Sequence, residues 1–84
     1  MRNTTQLEHE ITSLFKDQLH LEVPSGQTDL VAVGILDSMT FVDLLTHLEH
    51  QYDFLISPDM LEIENFKSVS RIAAFVESQL GRKK

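Results

Sequence analysis

The chain has 84 residues, no cysteine and a formal net charge of −6, which confines it to one small domain and excludes disulfides and thiolate zinc sites. It contains no apolar run that could span a bilayer and no signal-peptide pattern, so we expect a cytoplasmic protein without a membrane segment. Most of its basic residues lie near the two ends and leave an acidic body, which disfavours nucleic-acid binding and favours partners with basic surfaces.

The first helix is predicted to begin near Thr5, because the segment Thr5-Gln6-Leu7-Glu8 has the spacing of a capping box. Its predicted buried stripe consists of apolar residues at helical intervals, namely Leu7, Ile11, Leu14, Phe15 and Leu19. The segment Pro24-Ser25-Gly26 ends the helical tendency. A long loop then extends to about Leu36. We expect part of it to cover the core at the helix ends, because it carries the apolar residues Leu30, Val31, Val33, Ile35 and Leu36.

The second helix is predicted to span Ser38–Tyr52, with about 100° of rotation per residue. Its buried face lies between about 240° and 340° from Ser38 and comprises Phe41, Leu44, Leu45, Leu48 and Tyr52. Its solvated face lies between about 120° and 220° and comprises Thr40, Asp43, His47, His50 and Gln51. Met39 and Val42 fall outside the buried arc, beside Ser38. They either form a docking contact or are covered by the preceding loop.

Two further helices are predicted towards the C-terminus. Ser57-Pro58 is typical of a helix start and predicts a short helix through Met60-Leu61. Ser68 is the predicted N-cap of the last helix, and Gly81 is its predicted stop. The apolar stripe of that last helix comprises Val69, Ile72, Ala73, Val76 and Leu80.

Together these elements predict a single all-α domain over residues 1–84. The expected architecture is a small four-helix bundle with three main helices, a short third helix and a long loop between helices 1 and 2. We expect residues 82–84 to form a disordered basic tail and the protein to be a monomer. The sequence shows neither strand-like alternation nor an internal repeat.

Ser38 stands where a glycine-bearing loop, Gly34-Ile35-Leu36-Asp37, turns into the second helix. Unpaired backbone N–H groups at a helix N-terminus favour a negative group, which makes the Ser38 hydroxyl suitable for carrying a phosphate ester. A catalytic role would need a base within hydrogen-bond reach, but His47 lies on the opposite face of the helix, about 13 Å along its axis. We therefore predict that other enzymes modify Ser38 and that the chain is not itself an enzyme.

Asp37, His47 and His50 are candidate cation ligands near the second helix. Asp37 is predicted to cap the helix, and it is also placed to contact a divalent cation while Ser38 is being modified. His47 and His50 share the polar face three residues apart, which allows two metal contacts but supplies no further ligand. We therefore predict solvated histidines and no metal site.

Segment 29–39, with the sequence DLVAVGILDSM, resembles the attachment segment of the acyl/peptidyl carrier protein family in its stand-alone form. The resemblance continues through the rest of the chain. It includes the helix-end pairs Leu48-Glu49 and Tyr52-Asp53, the residues Ile56, Pro58 and Asp59, and the approach to the last helix at Asn65-Phe66, Ser68-Val69 and Ile72. It is specific because the serine, the upstream glycine and the Leu-Glu pair occur together with the helical layout.

The resemblance implies that a phosphopantetheinyl transferase attaches 4′-phosphopantetheine from coenzyme A to Ser38. The thiol of this arm would hold an acyl or aminoacyl group as a thioester, loaded by an adenylating ligase or acyltransferase and consumed by downstream enzymes. The residues implied in partner binding are Ile35, Met39, Val42, Asp43 and Glu49. Because few acids lie on the outer face of the second helix, the resemblance favours the apolar docking of peptidyl, aminoacyl or D-alanyl carriers.

Two alternatives remain open at the level of the sequence. The first is a non-carrier helical adaptor that binds a partner protein through the edge formed by Met39 and Val42. The second is a carrier-like domain of a larger synthase. The adaptor predicts no mass addition to the chain, whereas the carrier predicts one phosphopantetheine on Ser38.

Overall fold

The computed structural model describes residues 4–56 and 62–82, and all regular secondary structure in these ranges is helical. Helix α1 spans Thr4–Asp17, α2 spans Ser38–Tyr52 and α3 spans Val69–Arg82. A short 3-10 helix, Ile63–Phe66, precedes α3. The all-α class, with three main helices and one short helical element, is confirmed. The predicted helix start at Ser57-Pro58 and its continuation through Met60-Leu61 lie outside the described residues.

Helix α1 begins at Thr4, which confirms the predicted start near Thr5, but Thr5 itself lies inside the helix and does not cap it. The Glu8 carboxylate instead accepts a hydrogen bond from the Ser70 hydroxyl of α3 at 3.2 Å, so a tertiary contact replaces the predicted local one. The helix ends at Asp17, and His20 has a left-handed backbone with φ +58°. Leu19 thus lies beyond the helix but is packed against the core.

Helix α3 begins as predicted and ends later than predicted. The Ser68 hydroxyl oxygen accepts a hydrogen bond from the Arg71 N–H at 3.2 Å, which confirms Ser68 as the N-cap. The prediction that Gly81 stops the helix is wrong, because the helix continues through Gly81 to Arg82. Glycine permits a left-handed turn but does not impose one. Lys83 and Lys84 lie outside the described residues.

The core forms where three helices and one loop meet. Helices α1 and α3 run antiparallel, because the Thr4 hydroxyl donates to Glu77 at 2.9 Å while Glu8 meets Ser70. Helix α2 is tied to α1 by the buried Tyr52, whose hydroxyl donates to the Glu10 carboxylate at 2.8 Å. The fully buried side chains include Leu7, Ile11, Phe15, Leu30, Leu44, Leu48, Phe66, Val69, Ile72, Ala73 and Val76.

Three phenylalanines join α2 to α3 through the short 3-10 helix. The ring of Phe66 packs against both Phe41 on α2 and Phe75 on α3, with a centroid distance of 5.1 Å to each. Phe41 meets Phe66 edge to face, the arrangement that the ring quadrupoles favour. The beginning of α2 is therefore held against the bundle by aromatic packing.

Candidate attachment site

The loop before α2 is fixed to the bundle at two buried leucines. Leu30 donates its N–H to the Lys67 carbonyl at 2.7 Å, and Leu36 donates its N–H to the Leu30 carbonyl at 2.9 Å. The Asp29 carboxylate accepts hydrogen bonds from the Val31 and Ala32 N–H groups at 3.1 and 2.9 Å, and these bonds stabilise the turn that follows Asp29. The expectation that part of this loop packs on the core is thus confirmed, and Asp37 follows a firmly held segment.

Gly34 supplies a left-handed backbone conformation that this loop requires. Its φ is +81°, and a Cβ atom built on it would meet nothing within 4 Å. Space therefore does not demand glycine here, but the left-handed backbone does. This turn directs the chain from the exposed part of the loop back to the buried Leu36.

Asp37 caps α2 as predicted. Its backbone is extended, with φ −107° and ψ −175°, and its Oδ1 accepts a hydrogen bond from the Thr40 N–H at 2.8 Å. This hydrogen bond is the largest cause of a lowered pKa at the Asp37 carboxyl. Asp37 thus remains ionised beside Ser38 throughout the neutral range.

The lowered pKa of Asp37 predicts a pH-dependent contribution to stability. The contribution is complete above the ordinary aspartate pKa of about 3.9 and is lost as the pH falls through the lowered folded value. At pH 7 we expect the Tm of Asp37→Ala to fall below that of Asp37→Asn, which keeps a capping oxygen, and wild type to exceed both. The gap between wild type and Asp37→Asn should narrow as the pH falls below the ordinary aspartate pKa of about 3.9 and through the lowered folded value. A gap that stays constant from pH 7 to pH 2 would contradict this account.

Ser38 is the first residue of α2, and its side chain is exposed. Its hydroxyl has no hydrogen-bond partner among the described residues. A helix N-terminus carries partial positive charge from backbone N–H groups, which favours an attached phosphate. The structure therefore places an accessible hydroxyl where a phosphodiester is electrostatically favourable.

Apolar side chains are exposed around this serine. Met39 and Val42 are 80% and 60% exposed, so the loop does not cover them. Val31 and Val33 are also exposed, at 40% and 58%. The part of the loop that covers the core contains Leu30 and Leu36, which are buried, and does not include Val31 and Val33. No local periodicity separates the two sides of a loop, so the sequence did not distinguish these valines from the buried leucines.

The other residues implied in partner binding have different surroundings. Asp43 is exposed on α2, whereas Ile35 is partly buried against the core. Glu49 is partly buried, and its Oε2 accepts a hydrogen bond from the Ile56 N–H at 2.8 Å. Glu49 therefore holds the segment after α2, a role that sequence reasoning did not identify.

His47 and His50 border a surface groove of about 450 Å³ together with Gln18, Thr46 and Gln51. Within residues 4–56 and 62–82, no group of three or more His, Cys, Asp or Glu side chains is arranged to hold a metal ion. None of the helices described there combines the length and apolar character that crossing a membrane requires.

The fold and the exposed serine define a small all-helical protein with an accessible hydroxyl at the start of its second helix. The sequence pattern of the phosphopantetheine attachment site family matches residues 9–76, so the chain belongs to this family. It is a non-catalytic carrier protein that bears 4′-phosphopantetheine covalently, moves acyl or aminoacyl groups, and works with a phosphopantetheinyl transferase and further partner enzymes.

The chain is also similar to individual carrier proteins. It is 28% identical to the D-alanyl carrier protein of Abiotrophia defectiva over 76 residues, which cover 88% of this chain and 96% of that protein. It is 35% identical to the D-alanyl carrier protein of Lactococcus lactis subsp. cremoris MG1363 over 51 residues, which cover 61% of this chain and 65% of that protein.

Proposed function

We propose that Ser38 is the residue that receives the 4′-phosphopantetheine arm. The observation that carries this proposal is an exposed hydroxyl, free of hydrogen bonds to the described residues, on the first residue of α2. The residues present fit the group, because the helix N-terminus favours the phosphodiester and no neighbouring hydroxyl bond must be broken to form it. Asp37 supports the same step by fixing the helix start and offering a carboxylate to a divalent cation.

Other serines in the described ranges fit the attachment less well. Ser68 is buried and caps α3, while Ser70 donates to Glu8. Ser25 contacts Thr28 in the loop. Ser13 and Ser78 are exposed, but they lie inside α1 and α3 rather than at a helix N-terminus. Ser38 alone among these combines exposure with the first position of a helix.

The proposed cargo is an aminoacyl group, with D-alanine as the first candidate. The thiol of the bound arm supplies the chemistry by holding the cargo as a thioester. Support comes from the two D-alanyl carrier proteins, one of which this chain covers over 96% of its length. The outer face of α2 gives further support, because Thr40, His47 and His50 lie there with Asp43 as an isolated acid.

The proposed partners are an adenylating ligase that loads the arm and an enzyme that consumes the aminoacyl group. We propose that they dock on Met39 and Val42, with Asp43 at the edge of the contact and the exposed Val31 and Val33 extending it. Ile35 and Glu49 would contribute only their exposed atoms, since both side chains are partly buried. We propose that the carrier works in the cytoplasm, where coenzyme A and ATP serve the proposed reactions.

The test combines location of the arm with a choice of cargo. The purified chain is incubated with a broad-specificity phosphopantetheinyl transferase and coenzyme A, digested, and mapped by tandem mass spectrometry. The modified chain is then offered D-alanine, L-alanine, glycine or a fatty acid with the matching ligase and ATP. We expect the arm on the Ser38 peptide and loading with D-alanine. An arm on another residue overturns the site, and loading with the fatty acid alone overturns the cargo.

The apolar docking surface predicts a loading defect in Met39→Asp and Val42→Asp. Truncating or charging a central apolar contact costs more than about 1 kcal/mol in a typical interface, so we expect the ligase KM for each modified variant to rise at least about fivefold. Both positions are exposed, so the folded protein should keep its Tm. Ala74→Asp, at an exposed position on α3, is the matched control and should load like wild type. Equal KM values for all variants would remove this surface from the contact.

A further inference from the structure

A second surface groove, which we call the distal groove, lies at the C-terminal end of α2. It has a volume of about 420 Å³ and is lined by Thr46, Glu49, His50, Asp53, Phe54 and Leu55. Leu55 is 84% exposed. The groove therefore presents an apolar wall together with two carboxylates. It does not include Ser38, and Glu49 is the one lining residue that it shares with the proposed docking contact.

The distal groove lies on the same side of α2 as Ser38. At about 100° per residue, Val42, Thr46, Glu49 and Asp53 lie between about 20° and 80° from the direction of Ser38. The 450 Å³ groove beside His47 instead follows the polar face, where His47 lies about 180° from Ser38. One continuous strip of surface thus connects the attachment residue to the distal groove.

The distance along this strip matches the length of the prosthetic arm. Thr46 and Glu49 lie about 12 and 16 Å from Ser38 along the helix axis, at about 1.5 Å per residue. The arm has about 14 bonds between the serine oxygen and the sulfur, and it spans roughly 16 Å at the reach per bond of an extended chain. An aminoacyl group on the sulfur extends past this point, into the region of Asp53 and Leu55.

From this match we infer that the distal groove is a resting site for the aminoacyl end of the loaded arm, with Glu49 receiving the ammonium group and Phe54 and Leu55 contacting the alkyl portion. The inference rests on the proposed aminoacyl cargo, because only such a cargo brings a positive charge. Charge complementarity argues for this occupant. An acyl chain without an amine would offer no positive charge to the Glu49 carboxylate.

Glu49 is already oriented for this contact. Its Oε2 accepts from the Ile56 N–H at 2.8 Å, which fixes the carboxylate, and its Oε1 has no hydrogen-bond partner among the described residues. Its backbone carbonyl accepts from the N–H groups of Asp53 and Phe54, which holds the far wall of the groove. Asp53 has φ +55° and adds a second negative charge. Ion pairs at exposed sites are weak, which suits a cargo that must leave for a partner enzyme.

The test compares two arms that differ only in the amine. A coenzyme A analogue with an amine in place of the thiol is acylated with alanine or with propionic acid, and the transferase attaches each stable amide to the chain. Backbone amide shifts are then measured by NMR for both forms. We expect shift changes at Thr46, His50 and Leu55 with the alanyl arm and their absence with the propionyl arm.

Charge-neutral variants separate the groove from general electrostatics. Glu49→Gln keeps an oxygen for the Ile56 N–H, and Asp53→Asn suits a left-handed backbone. The double variant should therefore keep the fold and lose the alanyl-specific shifts. The control is Asp17→Asn with Glu22→Gln, which changes net charge equally at exposed positions outside the groove and should keep those shifts.

The outcomes distinguish the resting site from the function on which it rests. Intact mass is measured for every sample to show whether the arm is attached. A chain that never gains the mass of the arm refutes the attachment proposal, and this result differs from the results that refute the resting site. With the arm attached, identical spectra for alanyl and propionyl forms overturn the resting site. Alanyl-specific shifts that survive in the Glu49→Gln, Asp53→Asn variant overturn it as well. Failure of the adenylating ligase to load any amino acid overturns the cargo and, with it, the biological role of the groove.

Discussion

Replacing Ser38 with alanine is expected to abolish phosphopantetheine addition. The transferase would form a bond between the serine oxygen and the phosphorus of the arm, break the pyrophosphate bond of coenzyme A and release adenosine 3′,5′-bisphosphate. Alanine has no atom that can take the place of the serine oxygen. The defect should therefore be total, unlike the graded loss expected when a docking residue is changed. Intact mass spectrometry after incubation with the transferase and coenzyme A should show one added group on wild type and none on Ser38→Ala.

Controls for this experiment must show that the fold survives. Ser38 is exposed and its hydroxyl makes no hydrogen bond with the described residues, so its removal leaves the core intact. The helical circular dichroism and the Tm of Ser38→Ala should match those of wild type to within the effect of a surface change, about 0.5 kcal/mol. Ser78→Ala, at an exposed position inside α3, should be modified like wild type. A mass addition to Ser38→Ala would place the arm elsewhere.

The sequence predicted α2 well because the signals that define it are local. Asp37 supplies the cap and the apolar period marks the buried face, so the predicted bounds Ser38–Tyr52 match the structure. The signals that define the candidate site are also local, because the position of Ser38 is set by the residue before it and by the turn at Gly34. A candidate attachment residue can therefore be proposed from a short segment, without knowledge of the rest of the bundle.

Features that depend on distant contacts were not predicted. Val31 and Val33 face outward because Leu30 is bonded to the Lys67 carbonyl, which lies far along the chain. Phe75 was left out of the predicted α3 stripe, yet it is 9% exposed because Phe54 and Phe66 pack beside it. The helical period of apolar residues identifies the face of α3 that packs on the main core. It does not indicate that aromatic side chains from other segments pack against a further position of the same helix.

The site also depends on the bundle for its rigidity. The Leu30 N–H and the Lys67 carbonyl join the loop before Ser38 to the segment after the 3-10 helix. Phe66 precedes Lys67 and packs against Phe41, one turn into α2 from Ser38. Two short contacts therefore fix both the loop and the helix that present the serine, and both depend on the placement of the 3-10 helix.

Phe66→Ala is expected to cause a large loss of stability. Phe66 is fully buried, and its ring packs against Phe41 and Phe75. Removing a buried phenylalanine costs about 3–5 kcal/mol, against a total on the order of 5–10 kcal/mol for a domain of this size. Urea unfolding should show this loss, and the Tm should fall by at least about 12 °C.

Ile63→Ala is the matched control, because Ile63 belongs to the same 3-10 helix and is 48% exposed. We expect its free energy of unfolding to stay within about 0.5 kcal/mol of the wild-type value. Phe66→Leu keeps most of the apolar volume and should lie between wild type and Phe66→Ala. Since Phe66 holds Phe41 and the Lys67 segment, Phe66→Ala should also slow modification of Ser38 under conditions where the domain is still folded. A near-neutral free energy for Phe66→Ala would mean that the three-ring cluster does not support the helix that carries the serine.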